Sequence, residues 1–417
     1  MTSPSAIPSR PLSSLWPLDP GVVFLNHGSF GSCPCWVLEQ QRAIADRLER
    51  EPIRFIVEDL EAMLDRARTK LARFVNADPR GVVFVTNATA GVNAVVRSLA
   101  FRPGDELLTS NHEYNACNNA LRFAAERSGA KVVSVDLPFP VPSVDAVANA
   151  ILGAVTPRTR LALISHVTSP TGLVLPVERL VAELNRRGVE SLVDGAHAPG
   201  MFPLDIRSVN PTYYTGNCHK WLCSPKGAGF LYVREDRRAD VRPCVISHGA
   251  NSPRTDRSRY WLEFDYAGTT DFSAWLSVPL AIEYMDSLHP RGWTGVFEHN
   301  RSLALRGREL LCRELGAEPG APAEMIGTLA SVEIPARPAS APVPATRYHD
   351  PLQDRLIARR VQAPLYPFSG PRPGSPALPD RPRRLLRIAC QMYNSIEQIA
   401  FLARVVKEEL ATERAGA

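Results

Sequence analysis

No apolar run in the 417-residue chain approaches the ~18 residues needed to cross a bilayer. Met1 to Pro20 holds one arginine and several prolines but no apolar core of the secretory kind, so a cytoplasmic location is expected. Charge of one sign is also lacking. Lys and Arg number 48 against 43 Asp and Glu, a net +5, and the arginines are scattered among acids. That excludes the basic stripe of a nucleic-acid binder. Cysteine is sparse: eight residues run from Cys33 to Cys390, and only Cys33-Pro34-Cys35 and Cys218 with Cys223 lie close together. Zinc sites use two matched pairs, and these do not match, so no metal is expected. Free, partly buried thiols in a reducing compartment fit better.

What is present is an ordinary globular balance, with hydrophobic residues at 45% and charged residues at 22%, in a chain long enough for two domains. Leu60, Met63, Leu64, Ala67, Leu71 and Phe74 recur at helical spacing and predict an amphipathic helix over Glu58–Phe74. Apolar, β-rich runs follow at Val82–Val85, Glu106–Thr109, Lys131–Leu137, Arg160–Val167, Ser191–Val193 and Gly229–Val233, with helical stretches such as Asn115–Arg127 and Val177–Arg187 between them. Such alternation predicts an α/β fold: a mostly parallel sheet with helices on both faces, and ligands beyond the carboxyl ends of the strands. From about Pro290 the pattern changes. Residues 317–382 are rich in Pro and Ala, with Pro371, Pro373, Pro376, Pro379 and Pro382 clustered near the end. Strand-like Thr328–Ile334 and Leu385–Ile388 interrupt or bound this stretch, and Ser395–Glu409 reads as a closing helix. The expected organisation is an N-terminal extension (1–20), a large α/β domain (21–289) and a small C-terminal α+β domain (290–417).

The polar motifs fall at the ends of the predicted strands. Asp194 closes the apolar run Leu192-Val193, and Lys220 lies 26 positions on, in Gly216-Asn217-Cys218-His219-Lys220-Trp221-Leu222. A lysine amine that can form a Schiff base, with a carboxylate that can hold a pyridine nitrogen protonated, is the pair required by pyridoxal phosphate (PLP). Taken singly, Lys220 is a surface lysine and Asp194 a helix cap. Bulky, uncharged neighbours argue against solvent for Lys220, and desolvation lowers an amine's pKa toward the neutral form. Thr86–Asn93 follows a strand and opens a helix, the setting that favours a phosphate, with Asn87 or Thr89 as N-cap. His112 follows the strand Glu106–Thr109, either to stack on a cofactor ring or to act as a hydrogen-bonded loop residue, with Tyr114 its rival for stacking. His197 either reaches the cofactor's phenolic oxygen or caps the next segment. Arg387, on the apolar strand Leu385–Ile388, suits a substrate carboxylate, while Arg381, Arg383 and Arg384 among the prolines read as surface charge.

Together these stretches resemble the class V, cysteine-desulfurase-type aminotransferase-fold enzymes, and within them the isopenicillin-N-epimerase-like branch. The likeness is carried by Phe24–Gly31, Thr86–Asn93, Asn111–Asn115, Ser165–Gly172, Val193–Gly200, Tyr214–Gly229, Ala267–Asp271 and Leu386–Asn394. The resemblance implies a PLP-dependent type I aminotransferase fold, dimeric, with Lys220 as the Schiff-base and proton-transfer residue. It implies that Asp194 pairs with the pyridine nitrogen and that His197 lies near the phenolic oxygen. Ala88, Thr89, His219 and Asn217 would hold the phosphate, and Thr269 would reach the phosphate of a neighbouring subunit. His112 would stack on the ring, Arg387 would take the substrate carboxylate, and Asn26 with His27 would line the substrate side. Ser169 replaces the asparagine of many desulfurases. The loop Gln362–Gly370 has no cysteine, which argues against a persulfide-forming desulfurase. The implied activity is epimerisation or β-elimination at an amino acid, with transamination or a non-catalytic protein of the same fold as alternatives.

Overall fold

The computed structural model describes residues 12–337, 346–348, 350–373 and 383–415. A two-residue strand, β1 (Val23–Phe24), comes first. The main sheet is then built from β2 (Val82–Val85), β3 (Glu106–Ser110), β4 (Lys131–Val135), β5 (Thr159–Ser165), β6 (Glu190–Gly195), β7 (Tyr213–Asn217) and β8 (Gly229–Val233), in the order β2-β8-β7-β6-β5-β3-β4. Strands β4, β3, β5, β6 and β7 run parallel, β8 runs antiparallel beside β7, and the edge strand β2, antiparallel to β8, again points the same way as the five. Apart from Arg160 and Glu190 near their starts, the inner strands β3, β5, β6 and β7 are buried because helices cover both faces.

Those helices include α1 (Leu60–Phe74), α2 (Ala88–Ser98) and α3 (Asn115–Ser128). The periodicity predicted over Glu58–Phe74 is realised from Leu60, preceded by a wider π turn over Arg54–Asp59. Strand β7 carries no clear apolar run in the sequence, yet it sits fully buried between β6 and β8. The parallel register aligns Ser165 with Asp194 and Asp194 with Thr215, so the carboxyl ends of three strands form one shelf.

Beyond α4 (Gly292–Leu315) the chain forms a smaller antiparallel sheet. It comprises β9 (Leu329–Ile334), β11 (Leu365–Phe368) and β12 (Arg383–Ala389), ordered β11-β12-β9, with α4 packed on β9 and the closing helix α5 (Ile396–Ala415) packed on α4. The short β10 (Val361–Gln362) pairs in parallel with β1, which ties the N-terminal segment to this region. Two of the arginines expected at the surface are interior instead. Arg384 is 6% exposed between Asp350 and Glu413, and Arg383 bonds Glu333 and three backbone carbonyls. Both sit on β12 rather than in a proline loop, so acids from neighbouring elements reach them. Arg381 and the prolines at 376, 379 and 382 lie outside the described residues.

Candidate active site

A cavity of about 210 Å³ opens where the parallel strands end. Lys220, in the turn after β7, lines it. The turn is clamped from behind: His27 Nε2–H donates to the Lys220 carbonyl at 3.0 Å, while its Nδ1 accepts from the Tyr393 hydroxyl at 2.7 Å. Gly31, at φ +67°, approaches so closely that a Cβ there would lie 1.8 Å from the His219 carbonyl oxygen, which only glycine permits. On the cavity side, the Trp221 indole N–H donates to His197 Nδ1 at 3.4 Å, which leaves the imidazole proton on Nε2. That Nε2 lies 3.2 Å from Lys220 Nζ, a contact in which the lysine must accept and so be a neutral amine. Enclosure in the fold, reinforced by the nearby Arg387 charge, lowers the lysine to about 7. Burial likewise keeps His197 well below the usual imidazole range, and hence neutral.

Asp194 ends β6 on the cavity wall. Its Oδ1 accepts from the Ala196 amide at 2.9 Å and its Oδ2 from the Cys117 thiol at 3.1 Å. Sequence reasoning missed its third neighbour, Glu113. This buried carboxyl accepts from the Ser165 hydroxyl at 2.6 Å and the Tyr114 amide at 2.8 Å, while its Oε2 has no partner among the described residues. Burial and the adjacent Asp194 push Glu113 up to about 8. Glu113, Cys117 and Asp194 lie close enough to reach one ion. Burial also drives the Cys117 thiol up, however, so two of the three keep their protons, and the Cys117 thiol joins the Ala196 amide as a donor to Asp194. The signal for Glu113 was its place in the strand-end segment Asn111–Asn115, between two candidates already singled out, His112 and Tyr114.

The N-terminus of α2 faces the same cavity through Asn87, Ala88 and Thr89. Asn87 caps the helix, its side chain accepting from the Ala90 amide at 2.9 Å. The Ala88 amide is already donated to Asn217 Oδ1 at 2.8 Å, so Thr89 offers the free backbone donor expected at a helix start, along with its hydroxyl. His219 lines the cavity too. Its Nδ1–H donates to the Ala228 carbonyl at 3.0 Å, and burial lowers it to about 4.

Two expected contacts, those of His112 and His27, lie elsewhere. His112 is fully buried outside the cavity, with Nδ1 bonded to the Thr171 hydroxyl at 2.9 Å, Nε2 to the Leu137 carbonyl at 3.2 Å and its ring edge-on to Phe368. The structure thus places it as the loop histidine, and Tyr114 lines the cavity in its stead. His27 stands behind Lys220 rather than on the substrate side. Thr269 is exposed and bonded to the Tyr266 hydroxyl at 3.0 Å, away from this chain's cavity.

Arg387, on β12, is 0% exposed. It donates to the Ser169 carbonyl and, at 3.3–3.4 Å, to Ser169 Oγ, Ser29 Oγ and Asn26 Oδ1. Its Nε is buried without a partner, and no carboxylate pairs with it among the described residues. A buried guanidinium held only by neutral acceptors is set up to receive an anion.

A neutral lysine amine, a carboxylate ringed by donors and a helix N-terminus at the carboxyl edge of a parallel sheet match the three ends of PLP: aldehyde, ring nitrogen and phosphate. Fold and site together define a PLP-dependent enzyme of the aminotransferase type, and PLP is its cofactor. The model of the family Aminotransferase class-V matches residues 54–311, and the chain belongs to that family. It is 36% identical over 405 residues to isopenicillin N epimerase of Amycolatopsis lactamdurans, covering 94% of this chain and 96% of that protein. It is 31% identical over 400 residues to a probable chloroplastic L-cysteine desulfhydrase of Arabidopsis thaliana, covering 91% and 81%. Among solved structures, a C-DES mutant with glycine covalently linked to its PLP cofactor superposes with a TM-score of 0.76 at 22% identity, over 95% of this chain and 99% of that one. The apo cysteine desulfurase of Thermococcus onnurineus also gives 0.76, at 19% identity, over 97% and 100%. At such identities the two structures bear on the fold alone.

Proposed function

We propose that the protein acts at the α-carbon of an amino acid, by epimerisation or by β-elimination of a sulfur-bearing substituent. The observation that carries this is Arg387: a fully buried cation with no counter-ion among the described residues, close enough to Lys220 to depress the amine. A substrate α-carboxylate supplies the missing charge and thereby sets the α-carbon beside the lysine. Bound PLP supplies the electron sink for the pair left when a bond to that carbon breaks. Lys220 Nζ, neutral near pH 7, takes the α-proton. Asp194 holds the proton at the cofactor's ring nitrogen, and the donors from Cys117 and Ala196 fix its orientation. His197 Nε2–H lies beside Lys220 and keeps the amine aimed into the cavity. Thr89, His219 and Asn217 hold the phosphate end, and Tyr114 covers the ring.

Epimerisation needs a second acid opposite Lys220. His27 and His112 have both ring nitrogens bound to protein groups, so of the candidate residues only Tyr114 faces the cavity. A persulfide-forming desulfurase is disfavoured because β11 and its flanking loop, residues 362–370, contain no cysteine. Phe30 lines the cavity yet is 70% exposed, and Thr269 stands free of it, both of which support a homodimer with shared sites. Eight free thiols support a reducing, cytoplasmic setting. Among the described residues no helix is long and apolar enough to cross a membrane. The division at about residue 290 is supported by α4, which starts at Gly292 and packs on the smaller sheet.

The test is incubation with L-amino acids and cysteine conjugates in deuterated buffer. α-Deuterium with a D-centre and no pyruvate identifies an epimerase; pyruvate with a released sulfur fragment identifies a lyase. Lys220→Ala is expected to lose α-exchange together with the yellow colour of the lysine-bound cofactor. A native protein that takes up no PLP would overturn the proposal.

A further inference from the structure

A second, larger cavity of about 800 Å³ meets the first at Tyr114 and Ser169, which line both. Pockets of ~300–1,000 Å³ accommodate drug-sized ligands, so this chamber far exceeds what the side chain of cysteine or alanine requires. Arg387 stands at the junction, bonded to Ser169 and with its guanidinium 4.8 Å from the centre of the Tyr366 ring, itself part of the chamber wall. A substrate whose carboxylate sits on Arg387 and whose α-carbon faces Lys220 has this chamber as the open direction for its side chain.

The lining is selective in charge. Among the described residues that line it there is no lysine or arginine. Its carboxyls are Asp136, which is exposed, and Glu113, which is buried beside Asp194 and keeps its proton to about pH 8. Besides Arg387, which is assigned to the substrate α-carboxylate, Arg383 lies over the Phe368 ring at 5.2 Å but is consumed by Glu333 and by backbone carbonyls. Asn115 provides an amide at the wall. A side chain ending in a carboxylate would therefore meet Asp136 with no counter-ion among the described lining residues. Resting on the function proposed above, we propose that this chamber is the side-chain subsite and that it selects long side chains with a non-anionic end over equally long ones that end in a carboxylate.

The test uses the full-length, PLP-loaded protein with L-alanine, L-lysine, N6-acetyl-L-lysine and L-α-aminoadipate. Two readouts are taken: kcat/KM for α-deuterium exchange, and the binding constant by calorimetry. N6-acetyl-L-lysine is expected to exceed both L-alanine and L-α-aminoadipate by about tenfold. Equal values for L-alanine and the long substrates would show that the chamber is not the subsite. A preference for L-α-aminoadipate would overturn the charge selection. Exchange with none of the four, L-alanine included, would instead overturn the catalytic proposal, and this inference with it. As a second probe, Asp136→Lys is expected to raise the ratio of L-α-aminoadipate to N6-acetyl-L-lysine by about threefold to fivefold, the scale of one exposed charge. An unchanged ratio in a variant with native melting behaviour would remove Asp136 from the selection.

Discussion

Two arginines three residues apart on β12 are buried to nearly the same degree and meet opposite fates. Arg384, 6% exposed at the outer end, is gripped by Asp350 at 2.5 and 2.8 Å and by Glu413 at 2.8 Å. Arg387, 0% exposed at the inner end, meets serine and asparagine oxygens and one backbone carbonyl. Burying a charge is costly unless it is paired, and breaking a buried pair costs ~3–5 kcal/mol. The outer arginine therefore fastens α5 and the segment before β10 to the small sheet, whereas the inner one carries an unmet charge that the fold tolerates for the sake of a ligand. Burial alone does not separate architecture from function; the partner does.

The sharpest way to break this comparison is to remove each charge in turn. Arg387→Ala is expected to lower kcat/KM for α-deuterium exchange by about 10³-fold, ~4 kcal/mol, with little change in melting temperature. Arg384→Ala is expected to do the reverse, lowering unfolding free energy by ~3 kcal/mol while folded molecules keep their turnover; Arg355, still paired with Glu413, holds the cost to the lower end. Comparable stability losses in both variants would erase the distinction.

A smaller effect concerns pH. Because Lys220 sits near 7, the rate at which the PLP-free protein takes up PLP should rise through pH 7 and level off above it, followed by the absorbance of the bound cofactor. Arg387 disfavours the protonated lysine. Arg387→Gln should therefore move the plateau to higher pH, and Arg384→Gln should leave it in place.

The smallest effect involves Glu113. Its folded-state value of about 8 exceeds its ordinary value of 4.5, so between those limits the folded protein holds one proton more than the unfolded chain. Stability from this group is complete below 4.5 and is lost as pH rises toward 8. Glu113→Gln should flatten that decline in a melting series from pH 5 to 8. It should also keep turnover within about threefold of native near neutrality, because a neutral amide replaces a neutral acid. An unchanged slope would mean that Glu113 is ionised in the fold.

The main sheet was largely legible because its strands are continuous apolar runs, the mark of burial on both faces. β7, Tyr213–Asn217, escaped notice: its strand-favouring tyrosines and threonine are followed at once by Gly216 and Asn217, which are poor in strands, and its burial comes from the strands on either side. Asp194 and the α2 N-terminus were legible from their positions after strands, and Lys220 from the bulky, uncharged residues on either side of it. His112 and Tyr114 could not be separated by sequence, since the choice turned on Thr171 and Leu137, far along the chain, engaging both histidine nitrogens. Arg384 misled for a similar reason, because its acids arrive from positions 350 and 413. Side chains settled by long-range partners are the ones that local patterns leave undecided.

The pairing of β1 with β10 has a consequence for the order of events on the ribosome. Phe24, Leu25 and Asn26, which lead into the cavity wall at Ser29 and Phe30, are held by Gln362, Ala389 and Asn394. At ~5–20 residues per second, the 338 positions between Val23 and Val361 take roughly 20–70 s to emerge. The main sheet can assemble in that interval, while residues 23–26 wait for their partners. The segment that leads to Ser29 and Phe30 is therefore fixed in place only once Gln362, Ala389 and Asn394 have been made.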